Sequence, residues 1–367
     1  MKVLNISLEK KLFQNDSTSQ QRVLGYGGLF ARFDLIVLTG RGFQVLKFTN
    51  IDIYPTSSLN KLFYLFDAYF LGKKVINKYK HDIISAQDPF EMGFIAWLLA
   101  KKLGIKLQIQ IHGDYFGSGY WRKEVLLNRL KYYLGCFIIK KADSIRVVSN
   151  RTKDSLIKMG ILSDKITVVP IFTEAISKKL EVREKKNDER FVFLTAGRLV
   201  PVKNIGLQIK AIEEIAKKYP AVELWIVGDG PERKEYELQI AGHKLEKNIK
   251  LLGWKNNLDE YYNQADVFVL TSNYEGWGLV AIEAASFGLP IIMTDVGCAG
   301  EIIKDGESGI VIPVGGERGL KKTMVELIEN EELRKRLGQN ALTAVSSLPD
   351  QEQSWQLYKK SLEKAFE

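Results

Sequence analysis

Short runs of β-branched and other apolar residues alternate with amphipathic segments along almost the whole of this 367-residue chain. Strands that alternate with helical patterns are typical of parallel sheets covered by helices. The predicted strands of the first half are 2–8, 43–49, 82–86, 106–112, 144–149 and 166–170. Those of the second half are 191–197, 222–228, 249–253, 266–271, 290–294 and 309–313.

A charged segment that is poor in large apolar residues, 173–190, separates the two halves. A chain of this length exceeds what one compact core usually holds, so the segment is interpreted as an interdomain linker. The prediction is two doubly wound α/β domains, 1–172 and 191–347, and a final helix within 348–367 that packs across the domain boundary. Ligands of such sheets bind at the carboxyl ends of strands, and two facing sheets would form a cleft.

The composition excludes several classes of protein. The chain has only two cysteines and no apolar run of about 18 residues, so neither a disulfide scaffold nor a membrane span is predicted. The N-terminal segment becomes charged too early for a secretory signal. A cytoplasmic protein is expected.

The net charge of +9 is unevenly distributed. Residues 1–172 hold 26 Lys and Arg against 13 Asp and Glu, whereas residues 173–367 hold 27 against 31. Two explanations of the basic first half are open: it meets an anionic membrane or a phosphorylated partner, or its lysines only solvate the surface. It contains no recognisable nucleic-acid-reading module, so no nucleic-acid partner is expected.

Several nucleotide and metal motifs are missing. The chain has no G-x-G-x-x-G, no Walker sequence, no H-E-x-x-H and no Asp-x-Asp pair, and its three histidines are scattered. Neither a metal ion nor another cofactor is expected. A diphosphate, if one binds, would have to be neutralised by cationic side chains and helix amides.

Three loops of the second half could supply those groups. In "AGRLVPVKN", Arg198 follows a strand and Lys203 lies five residues later. A guanidinium can hold phosphate through two hydrogen bonds, and an ammonium adds a point charge. The alternative is that both residues are solvated surface cations.

The second loop is "IVGDGPER", in which Gly228, Asp229 and Gly230 follow a strand. Glycines at a strand-to-helix turn allow a ring or a phosphate to approach the backbone. The alternative is a tight turn with Pro231 at the first helical position.

The third loop is "TSNYEGWGLVAIEAASFG". A helix is predicted to begin near Gly278, where unpaired amides attract an anion. Glu283, on that helix, is costly to bury unless hydroxyl groups donate to it, as those of a sugar diol would. Glu275 would hold the far end of the same ligand. In the alternative interpretation, Glu275 only complements the helix dipole and Glu283 is an ordinary solvated glutamate on the helix.

Together these segments resemble glycosyltransferase family 4, retaining enzymes of the GT-B fold. "EGWGLVAIE" is similar to the family signature E-G-[aromatic]-G-L-x-x-x-E, and "GRLVPVKN", "IVGDGP", "LLGW", "ADVFVLTS" and "EAASFGLPIIMTDVGCAGEII" are similar to its other blocks. The likeness covers the second half. In the first half, "GYGG" with "RGFQV" resembles the family's glycine loop and following strand, and "QIHGDYFG" resembles its histidine loop; Phe43 stands where the family usually has histidine.

The resemblance implies a role for each matching residue. Glu283 would bind the ribose of a nucleoside-diphosphate sugar, Glu275 the transferred sugar, and Arg198 and Lys203 the departing diphosphate. The donor-binding set is completed by the following residues: Gly276, Trp277, Gly278 and Leu279 at the sugar–diphosphate end, Gly228, Asp229 and Gly230 in the second loop, Trp254 near the base, and Gly27 and Gly28 from the opposite domain. His112 would face the reacting sugar.

The implied reaction transfers a sugar to an acceptor hydroxyl with retention, without a metal ion. The acceptor is expected to be a glycan or a lipid-linked sugar at the cell surface, because residues 120–143 could form a basic amphipathic helix that binds an anionic membrane. An ordinary packing helix is the alternative there. Two other classes of function stay open: a nucleotide-sugar epimerase or hydrolase, and a non-catalytic anion- or membrane-binding protein.

Overall fold

The computed structural model describes residues 1–15, 17–173 and 190–367. These residues form two units, one of Met1–Pro170 with Gln351–Glu367 and one of Ile171–Asp350. Apart from its first and last residues, the predicted linker 173–190 lies outside the described residues.

The first unit is built on an eight-stranded sheet in which every neighbouring pair is parallel except the pair at one edge. The strand order is β3-β4-β2-β1-β5-β6-β7-β8. The strands are β1 (Lys2–Ser7), β2 (Arg32–Val37), β3 (Leu46–Lys47), β4 (Asp52–Pro55), β5 (Ile83–Ala86), β6 (Lys106–Ile111), β7 (Ser144–Val147) and β8 (Ile166–Val168).

Helices cover both faces of this sheet. One face packs against α2, α3 and α5, and the other packs against α1 and the final helix, α13. Successive strand residues point to opposite faces, so Val3 lies in the second of these cores and Leu4 in the first. The helices are α1 (Thr18–Gly27), α2 (Tyr64–Tyr79), α3 (Glu91–Leu103), α4 (Gly119–Glu124), α5 (Leu126–Ile139), α6 (Asn150–Lys158) and α13 (Gln351–Glu363).

The sequence-based prediction was wrong about the second strand of this sheet. Strands β2 and β4 were not predicted, and the strand predicted at 43–49 is reduced to Leu46–Lys47 at the antiparallel edge. A buried aspartate, Asp34, interrupts the apolar run of β2. It is tolerated because Arg32 Nε and His81 Nε2 contact its Oδ2 at 2.6 and 2.8 Å.

The C-terminal helix α13 belongs to the first unit. Its Tyr358 and Leu362 are buried against α1 and the sheet. Gln108 Nε2, from β6, donates to the carbonyl oxygen of Ser361 at 2.7 Å. A Cβ atom on Gly25 of α1 would lie 2.2 Å from the ring of Trp355, so a larger residue where the two helices meet would displace that ring.

The second unit contains a six-stranded, wholly parallel sheet in the order β11-β10-β9-β12-β13-β14. Its strands are β9 (Phe191–Ala196), β10 (Val222–Val227), β11 (Ile249–Gly253), β12 (Val267–Leu270), β13 (Ile291–Thr294) and β14 (Ile310–Ile312). Its helices are α7 (Ile205–Ile215), α8 (Arg233–Gly242), α9 (Asp259–Gln264), α10 (Leu279–Ser286), α11 (Glu317–Glu329) and α12 (Glu331–Ser346).

The strand order of the second sheet reverses between β9 and β12. From β9 the chain continues outward to β10 and β11, whereas from β12 it continues in the other direction to β13 and β14. The carboxyl ends of the two strands at such a reversal diverge into separate loops and leave a crevice for a ligand. Among the helices of the described residues, none is long and apolar enough to cross a bilayer.

Candidate active site

The loop after β9 presents Arg198 and Lys203 at the strand reversal. Arg198 is exposed, and Lys203 ends a short 3-10 turn directly before α7. Asn204 joins the turn to the helix with a left-handed backbone, φ 50°. A Cβ atom on Gly197 would lie 3.5 Å from Lys203 Cε, so the lysine side chain folds back toward the end of the strand.

The loop after β12 carries Glu275 to the same place. Lys203 Nζ donates to Glu275 Oε1 at 2.5 Å, and Ser272 Oγ donates to the same oxygen at 2.6 Å. The side chains of Lys203 and Glu275 are only 20% and 12% exposed. The structure therefore pairs Lys203 with Glu275, two of the site residues predicted from the sequence, across the strand reversal.

Hydrogen bonds to main-chain carbonyl oxygens hold these two loops together. Asn273 N donates to Val202 O at 2.7 Å, and Thr271 Oγ1 donates to Asn204 O at 3.0 Å. Gln208 Nε2, buried in α7, donates in turn to Thr271 Oγ1 at 2.8 Å. The position of Lys203 relative to Glu275 is thus set by the backbone as well as by the ion pair.

Helix α10 begins at Leu279, one residue after the predicted start. Gly278 precedes it in a left-handed conformation, φ 85°, which favours glycine. The amides of Leu279 and Val280 have no acceptor among the residues that the structure describes. Open amides at a helix N-terminus attract an anion. Trp277 is 2% exposed, so its indole ring is buried beneath this loop.

Glu283 lies partly exposed on α10 and accepts hydrogen bonds from two hydroxyl groups. Tyr262 OH donates to its Oε2 at 3.1 Å, and Thr173 Oγ1 donates to its Oε1 at 3.3 Å. Burial, together with the negative charge of Glu283, raises the pKa of Tyr262 well above its usual value. The tyrosine therefore remains a hydrogen-bond donor to the carboxylate throughout the physiological pH range.

The loop after β10 packs backbone against backbone on the loop after β9. A Cβ atom on Gly228 would lie 1.8 Å from Gly197 O, and one on Gly230 would lie 2.3 Å from Leu199 O. Leu199 N donates to Asp229 O at 2.9 Å. The glycines are thus required by this contact.

Helix α8 begins only at Arg233, so the alternative that placed Pro231 at the first helical position is wrong.

Trp254 follows β11, at the edge of the sheet. It is 63% exposed, and its Nε1 donates to Asn256 Oδ1 at 3.2 Å. Its strand lies three positions from β12 in the sheet. An exposed indole at this edge leaves a flat apolar surface open to solvent.

His112 directly follows β6, at the carboxyl edge of the first sheet. The residue is partly exposed. The pKa of His112 is lowered to about 3, mainly by burial and to a smaller extent by the positive charges of Arg146 and Arg22. At neutral pH the ring is therefore an uncharged hydrogen-bonding group.

We expect the ring of His112 to stay neutral as the pH falls from about 7 to about 4, whereas an unfolded imidazole binds a proton below about 6.5. The unfolded state then binds more protons than the folded state, so lower pH destabilises the protein in this range. Imidazole chemical shifts, and the pH dependence of unfolding compared with that of His112→Gln, measure this. A midpoint near 6.5 for His112 would contradict the prediction.

The role predicted for Gly27 and Gly28 is wrong. Gly27 is the last residue of α1, and a Cβ atom there would lie 2.1 Å from Ile51. Three residues after Gly28, Ala31 N donates to Met1 O at 3.1 Å, so this segment lies at the amino edge of the sheet. A ligand at the carboxyl edge is out of its reach, and these glycines serve helix packing and a turn.

Four polar residues of this site were not identified from the sequence: Ser272, Tyr262, Thr173 and Asn204. Ser272 lies three positions before Glu275, a spacing at which two side chains can meet, so the sequence did contain a signal for this contact. Tyr262 and Thr173 lie 21 and 110 residues from Glu283, and no local pattern connects them.

Family models match both halves of the chain. The model of glycosyl transferases group 1 matches residues 177–343, and the model of glycosyltransferase family 4 matches residues 29–173. An uncharacterized glycosyltransferase of Methanocaldococcus jannaschii is 30% identical over 310 residues, which cover 83% of this chain and 82% of that protein. The alpha-monoglucosyldiacylglycerol synthase of Acholeplasma laidlawii is 28% identical over 283 residues, 73% of this chain and 72% of that protein.

Solved structures show the same fold at lower identity. HepE of Anabaena, crystallised with UDP, superposes with a TM-score of 0.76 at 17% identity and covers 99% of this chain and 100% of its own. Sucrose-phosphate synthase of Thermosynechococcus elongatus superposes with a TM-score of 0.79 at 19% identity and covers 100% of this chain and 99% of its own. The chain therefore belongs to the group 1 glycosyltransferases and has the GT-B fold of two Rossmann-like domains.

Proposed function

We propose that this protein transfers a sugar from a nucleoside diphosphate to an acceptor hydroxyl, with retention of the anomeric configuration. The observation that carries the proposal is the pairing of Lys203 with Glu275 beside the open N-terminus of α10. A cation, unpaired amides and a carboxylate meet there at the strand reversal, and a sugar diphosphate needs all three. Similarity to HepE, which was crystallised with UDP and with UDP-glucose, supports a nucleotide-sugar donor.

In the proposed mechanism the diphosphate is neutralised by Arg198, Lys203 and the amides of Leu279 and Val280. Negative charge grows on the leaving diphosphate, so donors that are already in place there lower the barrier. No metal ion is part of the proposal, because the protein's own cations and amides take that role.

The two glutamates hold the sugars at either end of the donor. Oε1 of Glu275 already accepts from Lys203 and Ser272, and Oε2 is proposed to accept from hydroxyls of the transferred sugar. Glu283 would exchange a hydroxyl such as that of Thr173 for the ribose diol. The acceptor attacks from the face that the diphosphate leaves, with a phosphate oxygen as the base. Neutral His112 is proposed to contact the reacting sugar.

The proposed acceptor is a hydroxyl of a cell-surface glycan or glycolipid, and the enzyme would act on the inner face of a membrane. The net positive charge of residues 1–172 supports an anionic surface as partner. A relative named alpha-monoglucosyldiacylglycerol synthase supports a lipid acceptor. The segment 120–143 is two helices, α4 and α5, separated at Val125, and not the single helix predicted.

The test incubates the protein with a panel of nucleotide sugars, with and without lipid and glycan acceptors, and follows the free nucleoside diphosphate. Acceptor-dependent release with an α-linked product from an α-linked donor, identified by proton NMR, is expected. Release without acceptor would instead identify a hydrolase, and interconversion of donors an epimerase. Unchanged turnover in excess chelator is expected for a metal-independent enzyme.

Glu283→Gln provides a residue-level test. Replacing the charged acceptor by an amide should weaken donor binding by about ten- to a hundredfold, the usual cost of a hydrogen bond to a charged group. Calorimetric titration with the active donor measures it. Glu326→Gln, on the exposed face of α11, is the matched control and should bind donor normally. Equal donor affinity in both variants would remove Glu283 from the proposal.

A further inference from the structure

The outer face of α2 exposes large apolar side chains that a helix of the first unit would ordinarily bury. Leu62, in the 3-10 turn before the helix, is 88% exposed, Phe66 is 61% exposed and Phe70 is 52% exposed. They are four residues apart and so form one stripe. The rings of Phe66 and Phe70 contact each other, with centroids 4.5 Å apart, while the opposite face of α2 packs into the core.

A second exposed stripe runs along α5. Its members, at steps of four, three and four residues, are Leu126, Leu130, Tyr133 and Phe137, with exposed fractions of 76%, 67%, 71% and 44%. Phe137 contacts Trp97 of α3 edge to face, at 5.1 Å between ring centroids. The apolar surface therefore continues from α5 onto α3.

The two stripes belong to one layer of helices. Helix α3 packs against both α2 and α5, and all three cover the same face of the sheet. Helices α2 and α5 each follow a parallel strand and lead into the next one, so each begins at the carboxyl edge of the sheet. Their exposed first halves thus lie toward the edge that bears His112.

Cations surround this apolar layer. Residues 59–80, 91–103 and 119–141 contain 13 Lys and Arg against three Asp and Glu. The exposed ones include Lys61, Lys73 and Lys74 beside the α2 stripe, and Arg129, Lys140 and Lys141 beside the α5 stripe. Apolar side chains bordered by cations match the acyl boundary and the headgroups of an anionic bilayer. A second copy of the chain would bring two strongly positive faces together.

We propose that the outer face of α2, α3 and α5, hereafter the docking face, binds the surface of an anionic bilayer, with Phe66 and Phe70 inserted among the lipids. The inference adds α2 and α3 to the segment 120–143 identified in the sequence. Its consequence for acceptor supply rests on the proposed function: docking by this face would bring a lipid-linked acceptor to the edge of His112. Binding itself requires no catalysis.

The experiment uses sedimentation of the full-length protein with vesicles, without donor or acceptor. Equimolar phosphatidylcholine and phosphatidylglycerol vesicles should bind the protein at low salt, and phosphatidylcholine vesicles should bind it far less. Phe66→Ser/Phe70→Ser, and separately Leu126→Ser/Leu130→Ser, should each weaken binding at least about tenfold, since each removes two inserted side chains. Leu238→Ser/Val314→Ser removes two exposed apolar side chains of the second unit and should bind like the wild type.

Failure of the wild type to bind anionic vesicles, or wild-type binding by Phe66→Ser/Phe70→Ser, would overturn the proposal. Self-association or capture of a protein partner that depends on Phe66, without vesicle binding, would overturn it in favour of a protein interface. Release of nucleoside diphosphate with a water-soluble acceptor should be equal in all these variants. If the wild type releases no nucleoside diphosphate, that result would count against the proposed function alone, because the vesicle assay contains no substrate.

Discussion

Replacing Lys203 by alanine is expected to lower kcat by about 10²–10³-fold, the usual effect of removing one donor that stabilises a developing anion. The ammonium lies at the strand reversal, where the leaving diphosphate is proposed to gain charge. Its removal also leaves the Glu275 carboxylate, 12% exposed, without the cation that now contacts it at 2.5 Å. In steady-state kinetics, kcat should therefore fall by a larger factor than the donor KM rises.

Lys210→Ala is the matched control for this change. Lys210 lies on the exposed face of α7, seven residues after Lys203, so its removal deletes the same charge without touching the strand reversal. Its kcat should equal that of the wild type, and circular dichroism of both variants checks the fold. A Lys203→Ala enzyme with a kcat within a factor of about three of the wild type would contradict the role given to this lysine.

Gly228→Ala should be the most destabilising single-methyl change in the second unit. A Cβ atom there would lie 1.8 Å from the carbonyl oxygen of Gly197, and the backbone has φ 145°. The atom it meets is main chain and cannot rotate away, so the loops after β9 and β10 must separate. We expect the free energy of unfolding to fall by more than about 2 kcal/mol, since strain and lost contacts add. Denaturant unfolding measures it.

Gly242→Ala controls for the added methyl group. Gly242 ends α8, and a Cβ atom there would meet no atom within 4 Å. Alanine is the better helix former by up to about 1 kcal/mol, so this variant should be as stable as the wild type or more stable. Equal unfolding midpoints for Gly228→Ala and the wild type would show that the two loops can move apart at no cost. Arg198, which follows the Gly197 carbonyl, would then not be held in place by this contact.

Much of the fold followed from local patterns. Eleven of the twelve predicted strands overlap observed strands within two residues at each end, because a buried parallel strand is a continuous apolar run. The remaining one, 43–49, contains only the two residues of β3. Strands β2 and β4 were missed. In β2 a buried aspartate, Asp34, interrupts the apolar run, and the partners that compensate it include His81, 47 residues away.

The candidate site was predictable in part for the same reason. Parallel strands send every following loop to one edge, so Arg198, Lys203, Glu275 and the start of α10 were expected at a common edge. The same argument failed for Gly27 and Gly28. It applies only to the loop that directly follows a strand, and the sequence did not show that these glycines lie at the end of the next helix. In the structure, Gly27 ends α1 at the amino edge, next to Ile51.

By itself, the sequence determined most of the strands, which loops carry the charged groups, and the family to which those loops belong. These are properties of neighbouring residues, because burial and backbone preference act within a few positions. Only the tertiary structure decided that Lys203 pairs with Glu275, 72 residues away, that Gly228 meets Gly197, and that α2 leaves Phe66 exposed. Each of those facts depends on the order of strands in a sheet and on which helix covers which face, and no local pattern encodes either.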